Sequence, residues 1–193
     1  MDVKKIMNQD LVLASASPRR KELMEKAGFQ FEILVANTDE SYPADMDLYE
    51  VPQHIAEMKA LAVAENLQLN KIVIAADTIV ICNNEVLGKP RDLQDATTML
   101  EKLSGQQHQV VTGVCIKQAA KQFKFQSTTE VYFSELHPHE IEHYVQNYEV
   151  LDKAGAYAIQ EWIGLNKIIK IEGCYFNVVG LPTSELYKHL STF

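Results

Sequence analysis

Near the start of the chain, Ser15-Ala16-Ser17-Pro18-Arg19-Arg20-Lys21 sets two hydroxyls and three cations together, directly after the apolar run Leu11-Val12-Leu13-Ala14. Ser17 has the character of a helix N-cap. Pro18 suits the first helical position, because the N–H it lacks would go unpaired there and its φ is preset. Cations in a first turn oppose the partial positive charge and unpaired N–H groups of a helix N-terminus. A bound anion reverses all of these terms together: backbone donors, the Ser15 and Ser17 hydroxyls and a planar arginine fork then converge on one phosphate or carboxylate. The ordinary alternative is a charge run that only faces water.

A single carboxylate, Asp77, interrupts the otherwise apolar Ile72-Val73-Ile74-Ala75-Ala76-Asp77-Thr78-Ile79-Val80-Ile81. An unpaired buried charge is expensive, so Asp77 must meet a metal, meet a cation or stand where a strand faces a cleft. Lys59 lies four residues after Ile55 and four before Val63, on the apolar face of its helix, where snorkelling is the usual account of a lysine. Lys89 belongs to Gly88-Lys89-Pro90 and Glu40 to the acidic pair Asp39-Glu40, each readable as a plain loop residue. Together these residues supply cations for phosphates and hard oxygen ligands for Mg²⁺ or Mn²⁺.

The elements that must position them alternate. After Leu11–Ala14 comes a helix with Leu23 and Ala27 on its core face, stopped at Gly28. A strand over Phe29–Val35, a helix over Pro52–Leu67 and a long strand over Ile72–Cys82 follow, with Asn83-Asn84 turning into Glu85-Val86-Leu87. Asp92 caps a helix over Leu93–Leu103 closed by Gly105. Strands over Val110–Ile116 and Phe123–Phe133, a helix over Pro138–Val145, a strand over Ile168–Ile171 and a helix over Pro182–Leu190 complete the chain. This order, with its hairpin signals, predicts an α/β domain on a mixed sheet.

The composition narrows the partner. A chain of 193 residues is long enough to bury a core as a single domain, and its net charge of −8 argues against a footprint along polymeric nucleic acid. A small phosphorylated ligand in a local basic pocket is compatible with that charge. No window approaches a membrane span, and Met1-Asp2-Val3-Lys4-Lys5 lacks the apolar region of a signal peptide, so a cytoplasmic protein is expected. Cys82, Cys115 and Cys174 are odd in number and lie among β-forming residues, which predicts buried reduced thiols.

The chain resembles the Maf nucleotide pyrophosphatases over nearly its full length. Leu13-Ala14-Ser15-Ala16-Ser17-Pro18-Arg19-Arg20 resembles the family's N-terminal signature, Asp39-Glu40 its acidic pair and Lys59-Ala60 the lysine of its second helix. Ala76-Asp77-Thr78, Gly88-Lys89-Pro90, the segment Asp152-Lys153-Ala154-Gly155-Ala156-Tyr157-Ala158-Ile159-Gln160 and Asn177-Val178-Val179-Gly180-Leu181-Pro182 follow in the family's order. The resemblance implies one Maf-like domain over 1–193, a mixed twisted sheet with flanking helices, and two lobes around a cleft similar to inosine triphosphate pyrophosphatases. It often goes with a homodimer. It also implies a divalent metal and hydrolysis of a nucleoside triphosphate between the α and β phosphates.

In that frame Asp77 is the catalytic residue, while Ser15, Arg19, Arg20, Lys59 and Lys89 bind substrate. Asp77 and Glu40 are the metal contacts, and Arg19, Thr78 and Gln160 set base preference. Thr78 and Gln160 resemble the branch acting on dTTP and UTP. The Gln160 amide offers a donor and an acceptor, matching the O4 and N3–H edge of thymine or uracil. Ala158 and Glu161-Trp162 depart from the family by replacing glycines common in this segment, which reduces backbone freedom there.

Two other functions are weighed against this one. His139-Glu140-Ile141-Glu142-His143 matches H-E-x-x-H, as in zinc metalloproteases, with His137 a conceivable third ligand. Its Glu142 and the bordering Pro138 read instead as an exposed amphipathic helix. The third possibility is a catalytically silent nucleotide-binding regulator of cell division.

Overall fold

The computed structural model describes residues 3–7, 9–65, 67 and 71–193. The elements are α1 (Val3–Met7), β1 (Leu11–Leu13), α2 (Pro18–Lys26), β2 (Phe31–Ile33), α3 (Val51–Ala64), β3 (Ile72–Cys82), β4 (Glu85–Leu87) and α4 (Leu93–Leu103). They continue as β5 (Gln107–Gln118), β6 (Lys121–Phe133), α5 (Pro138–Asn147), a 3₁₀ turn (Ala154–Ala156), α6 (Trp162–Lys167), β7 (Ile168–Glu172), α7 (Tyr175–Val179) and α8 (Thr183–Leu190). The strands run β2-β1-β3-β5-β6-β7, and β4 pairs with β3. Both β2 and β3 are parallel to β1, whereas the β3–β4 and β6–β7 pairs are antiparallel. The sheet is therefore mixed and flanked by helices, as the alternating pattern predicts. Among the described residues no helix is long and apolar enough to cross a membrane.

The chain divides into two compact units: Met1–Asp77 with Thr112–Ser127 and Gly180–Phe193, and Thr78–Val111 with Thr128–Val179. In the first, Val12, Ala14, Val73, Ala75 and Cys115 pack against Ala56, Ala60 and Val63 of α3. Small residues let α3 lie close to the sheet: a Cβ on Gly113 would fall 2.2 Å from Gln53 N, so only glycine fits at that crossing. In the second unit Leu100 and Leu103 of α4 and Ile141 and Tyr144 of α5 pack with Val110, Val131 and Phe133 of the sheet.

Local sequence accounts for most boundaries. Ser17 Oγ accepts Arg20 N–H at 3.4 Å and the chain leaves α2 through Gly28 at φ 86°, while Asp92 Oδ1 accepts Asp95 N–H at 2.8 Å. Asn83 and Asn84 turn at φ 49° and 64°, the left-handed pair that a two-residue hairpin requires. The expected Phe29–Val35 strand shrinks to Phe31–Ile33; at its start the Phe29 N–H closes on the Met24 carbonyl at 3.1 Å, ending α2, and the Phe29 ring is buried near that of Tyr187. The Pro52–Leu67 helix ends at Ala64. Cys82 and Cys115 are buried in strands as predicted, and burial pushes the Cys115 thiol up to about 12. Cys174 departs from its expectation: it is half-buried and lies between β7 and α7.

Candidate active site

The first unit gathers the N-terminal cations and the strand carboxylate. Lys59, on α3, carries its ammonium to 2.7 Å from Asp77 Oδ1 and 3.0 Å from Glu40 Oε1. Its side chain is 16 % exposed and that of Asp77 14 %, so this lysine does not snorkel to water: it neutralises the carboxylate that the sequence leaves without a partner. Glu40 is half exposed, and Asp39 beside it turns away to cap the Ser41 N–H at 2.9 Å. Both carboxylates thus reach one cation position. Their hard oxygens suit Mg²⁺ or Mn²⁺, which need only one or two carboxylates when substrate phosphates and water supply the remaining positions. Among the described residues no three His, Cys, Asp or Glu side chains converge on a metal position.

Arg20 joins the same cluster. Its Nη1 donates to Ser15 Oγ at 3.2 Å and its Nε to the Gly180 carbonyl at 2.9 Å. Ser15 is buried and also accepts the Ser17 N–H at 3.2 Å. Burial lowers the Arg20 pKa from its usual value, the Asp77 charge opposes that shift, the Arg19 charge adds to it, and the Glu40 charge opposes it. The field of both carboxylates therefore reaches the guanidinium. Arg19 is half-buried like Arg20, whereas Lys21 stays exposed in a 3.7 Å pair with Glu25. The three-cation run is thus split, with two half-buried arginines and one solvated lysine.

The second unit holds Thr78, Lys89 and Gln160. Thr78 follows Asp77 along β3 and is half-buried, while Lys89 and Gln160 are exposed. The Gly155 N–H donates to the Gly88 carbonyl at 3.0 Å, tying the Gly88-Lys89-Pro90 turn to the segment that leads to Gln160. Three residues of this unit have no role assigned from the sequence. His108 is buried with Nε2 2.7 Å from the Tyr157 hydroxyl, and burial lowers its pKa to about 4. Tyr144 and Lys153 are buried beside the Gln160 segment. A lone histidine in a β-forming run and a lysine beside Ala154-Gly155-Ala156 were the available signals.

Elsewhere in this unit α5 carries the H-E-x-x-H residues. His139 and His143 are exposed, the His139 ring stacking on His137 at 5.7 Å and the His143 ring meeting Trp162 edge-on at 5.0 Å. Glu140 accepts the His137 N–H at 2.8 Å and pairs with Lys167 at 2.8 Å, so it caps its helix. Asn177 is fully buried and donates to the Val110 carbonyl and to Thr129 Oγ1, both at 2.9 Å, a structural task.

The chain is 43 % identical over 190 residues to a dTTP/UTP pyrophosphatase of Cytophaga hutchinsonii, covering 98 % of this chain and 87 % of the relative. It is 46 % identical over 181 residues to a dTTP/UTP pyrophosphatase of Bacteroides fragilis, covering 93 % and 94 %. Among solved structures, the Staphylococcus aureus Ham1 protein aligns with 65 % of this chain and 72 % of its own at a TM-score of 0.48 and 17 % identity. A family model described as Maf-like protein matches residues 10–193, and with relatives of this identity and coverage the chain belongs to the Maf family.

Proposed function

We propose that this chain hydrolyses dTTP and UTP to the nucleoside monophosphate and pyrophosphate. The observation that carries the reading is the first unit's cluster, in which Lys59 is held between Asp77 and Glu40 while Arg20 lies in the field of both carboxylates. Relatives named dTTP/UTP pyrophosphatase supply the base. A net charge of −8 with a local group of cations at this cluster favours a small triphosphate over a nucleic-acid polymer. A cytoplasmic, homodimeric protein completes the reading.

In this mechanism a water oxygen bonds to the α-phosphorus as the α–β bridging P–O bond breaks. Asp77 takes the water proton and pyrophosphate leaves. Arg19, Arg20, Lys59 and Lys89 neutralise the charge that builds on the departing phosphates, the electrostatic contribution that dominates phosphoryl chemistry. Ser15, already accepting from Arg20, fixes the guanidinium fork. Asp77 and Glu40 would hold Mg²⁺ or Mn²⁺, which when bound polarises the phosphate oxygens. For Thr78, Lys89 and the Arg19 contribution to base preference, support comes from the sequence resemblance.

Product analysis tests the proposal. Purified protein with Mg²⁺ or Mn²⁺ should turn dTTP and UTP into monophosphate and pyrophosphate in preference to purine nucleotides. Nucleotide-dependent thermal stabilisation without turnover would mark a silent binder instead, and casein cleavage blocked by a zinc chelator would mark a protease.

A further inference from the structure

Gln160 is exposed, yet the backbone on both sides of it is pinned by a buried network. Tyr144 of α5 is fully buried; its hydroxyl oxygen accepts the Ala158 N–H at 3.2 Å and its O–H donates to Glu161 Oε2. The other carboxylate oxygen of Glu161 lies 3.3 Å from Lys153 Nζ. That ammonium is buried as well, and donates to Asp152 Oδ1 at 2.9 Å and to the Glu149 carbonyl. Glu161 N–H closes back on the Ala158 carbonyl at 3.1 Å. On the far side α6 presses on the same turn, since a Cβ on Gly164 would fall 2.0 Å from the Ile159 carbonyl oxygen.

Burial, then the hydrogen bond to Glu161 and then its charge, raise the Tyr144 pKa, so the phenol keeps its proton and remains a donor to the carboxylate. A buried ammonium and a carboxylate that is 24 % exposed are costly to desolvate. Their best-attested use is to fix one arrangement among several, and here they converge on Ala158 and Glu161, which bracket Ile159 and Gln160.

We infer that Glu161 is a positioning residue for base selection, clamping Ala158–Glu161 so that the Gln160 amide meets the pyrimidine edge in one register. This inference rests on the reading of Gln160 as the base-reading side chain. Thymine and uracil present an acceptor at position 4 beside an N–H donor, and cytosine presents the opposite order. A backbone held in one place fixes the distance and angle at which the Gln160 amide meets that edge, and a displaced backbone weakens the contact on which discrimination depends.

The test is the ratio of kcat/KM for dTTP to that for dCTP in wild type, Gln160→Ala, Glu161→Ala, Glu161→Gln and the double variant Gln160→Ala with Glu161→Ala. Glu161→Ala should lower the ratio about 10-fold through misplacement of the reading group. Glu161→Gln should restore most of it, because an amide still reaches Lys153 and Tyr144. The double variant should fall no further than Gln160→Ala alone. Tyr144→Phe, which keeps the ring and removes the acceptor for Ala158, should shift the ratio in the same direction and serves if Glu161→Ala does not fold. An unchanged ratio in Glu161→Ala, or an additive loss in the double variant, overturns the clamp while the base-reading role stands. An unchanged ratio in Gln160→Ala overturns both.

Discussion

Lys59 Nζ lies 2.7 Å from Asp77 Oδ1, with both side chains largely out of water. One helix cation therefore answers the lone carboxylate in β3, and the same nitrogen reaches Glu40 at 3.0 Å. Lys59→Met should cost about 1–3 kcal/mol of stability, because it strands a partly buried charge. With the competing ammonium gone, two converging carboxylates should bind Mn²⁺ more tightly in the absence of nucleotide. Calorimetric titration with MnCl₂ checks this, and weaker binding than wild type would show that Asp77 and Glu40 do not share a cation position.

Asp77→Asn preserves shape while removing charge and basicity. Turnover of dTTP should fall about 10²-fold or more if Asp77 accepts the water proton. The variant should still fold, since the amide oxygen can accept from Lys59. Turnover near that of wild type would transfer the role to Glu40.

The two half-buried arginines should separate. Arg20 holds the Gly180 carbonyl as well as Ser15, so Arg20→Ala should lower the melting temperature of the ligand-free protein and also reduce the stabilisation that pyrophosphate confers. Arg19→Ala should reduce chiefly the pyrophosphate effect. Melting curves with and without pyrophosphate decide it; equal ligand-induced shifts in both variants and wild type would make the arginines purely structural.

His108 should give the protein an acid-sensitive step. Its imidazole titrates near pH 4 in the folded chain and at about 6.5 in the unfolded one. Between those values the unfolded state binds more protons. The His108 contribution to stability is therefore complete above about pH 6.5 and is lost as pH falls through 4, on the order of 3 kcal/mol in all. Urea unfolding at pH 7, 6 and 5 should show a steeper loss in wild type than in His108→Gln. The same slope in both would remove His108 as the cause.

Short-range chemistry was legible in the sequence. Ser17, Asp92 and the Asn83-Asn84 turn act through backbone groups a few residues away, and each stands where its residue type predicts. The candidate site was legible as a set of oddities: a carboxylate in an apolar strand and a lysine on an apolar helix face. Their partnership was not, because the residues lie eighteen positions apart and only the α3–sheet packing joins them. The same limit hid the Tyr144–Glu161–Lys153 network, in which three unremarkable residues meet only once α5 is packed. The short helices α6 and α7 have too few residues to show a period, so they read as loop.

Hydrolysis of dTTP in ¹⁸O-labelled water addresses the central claim most directly, because the label marks the phosphorus that the water attacks. Attack at the α-phosphorus, with Asp77 taking the proton, predicts one ¹⁸O in dTMP and unlabelled pyrophosphate by mass spectrometry. Label in pyrophosphate, or release of orthophosphate with dTDP, would contradict the account.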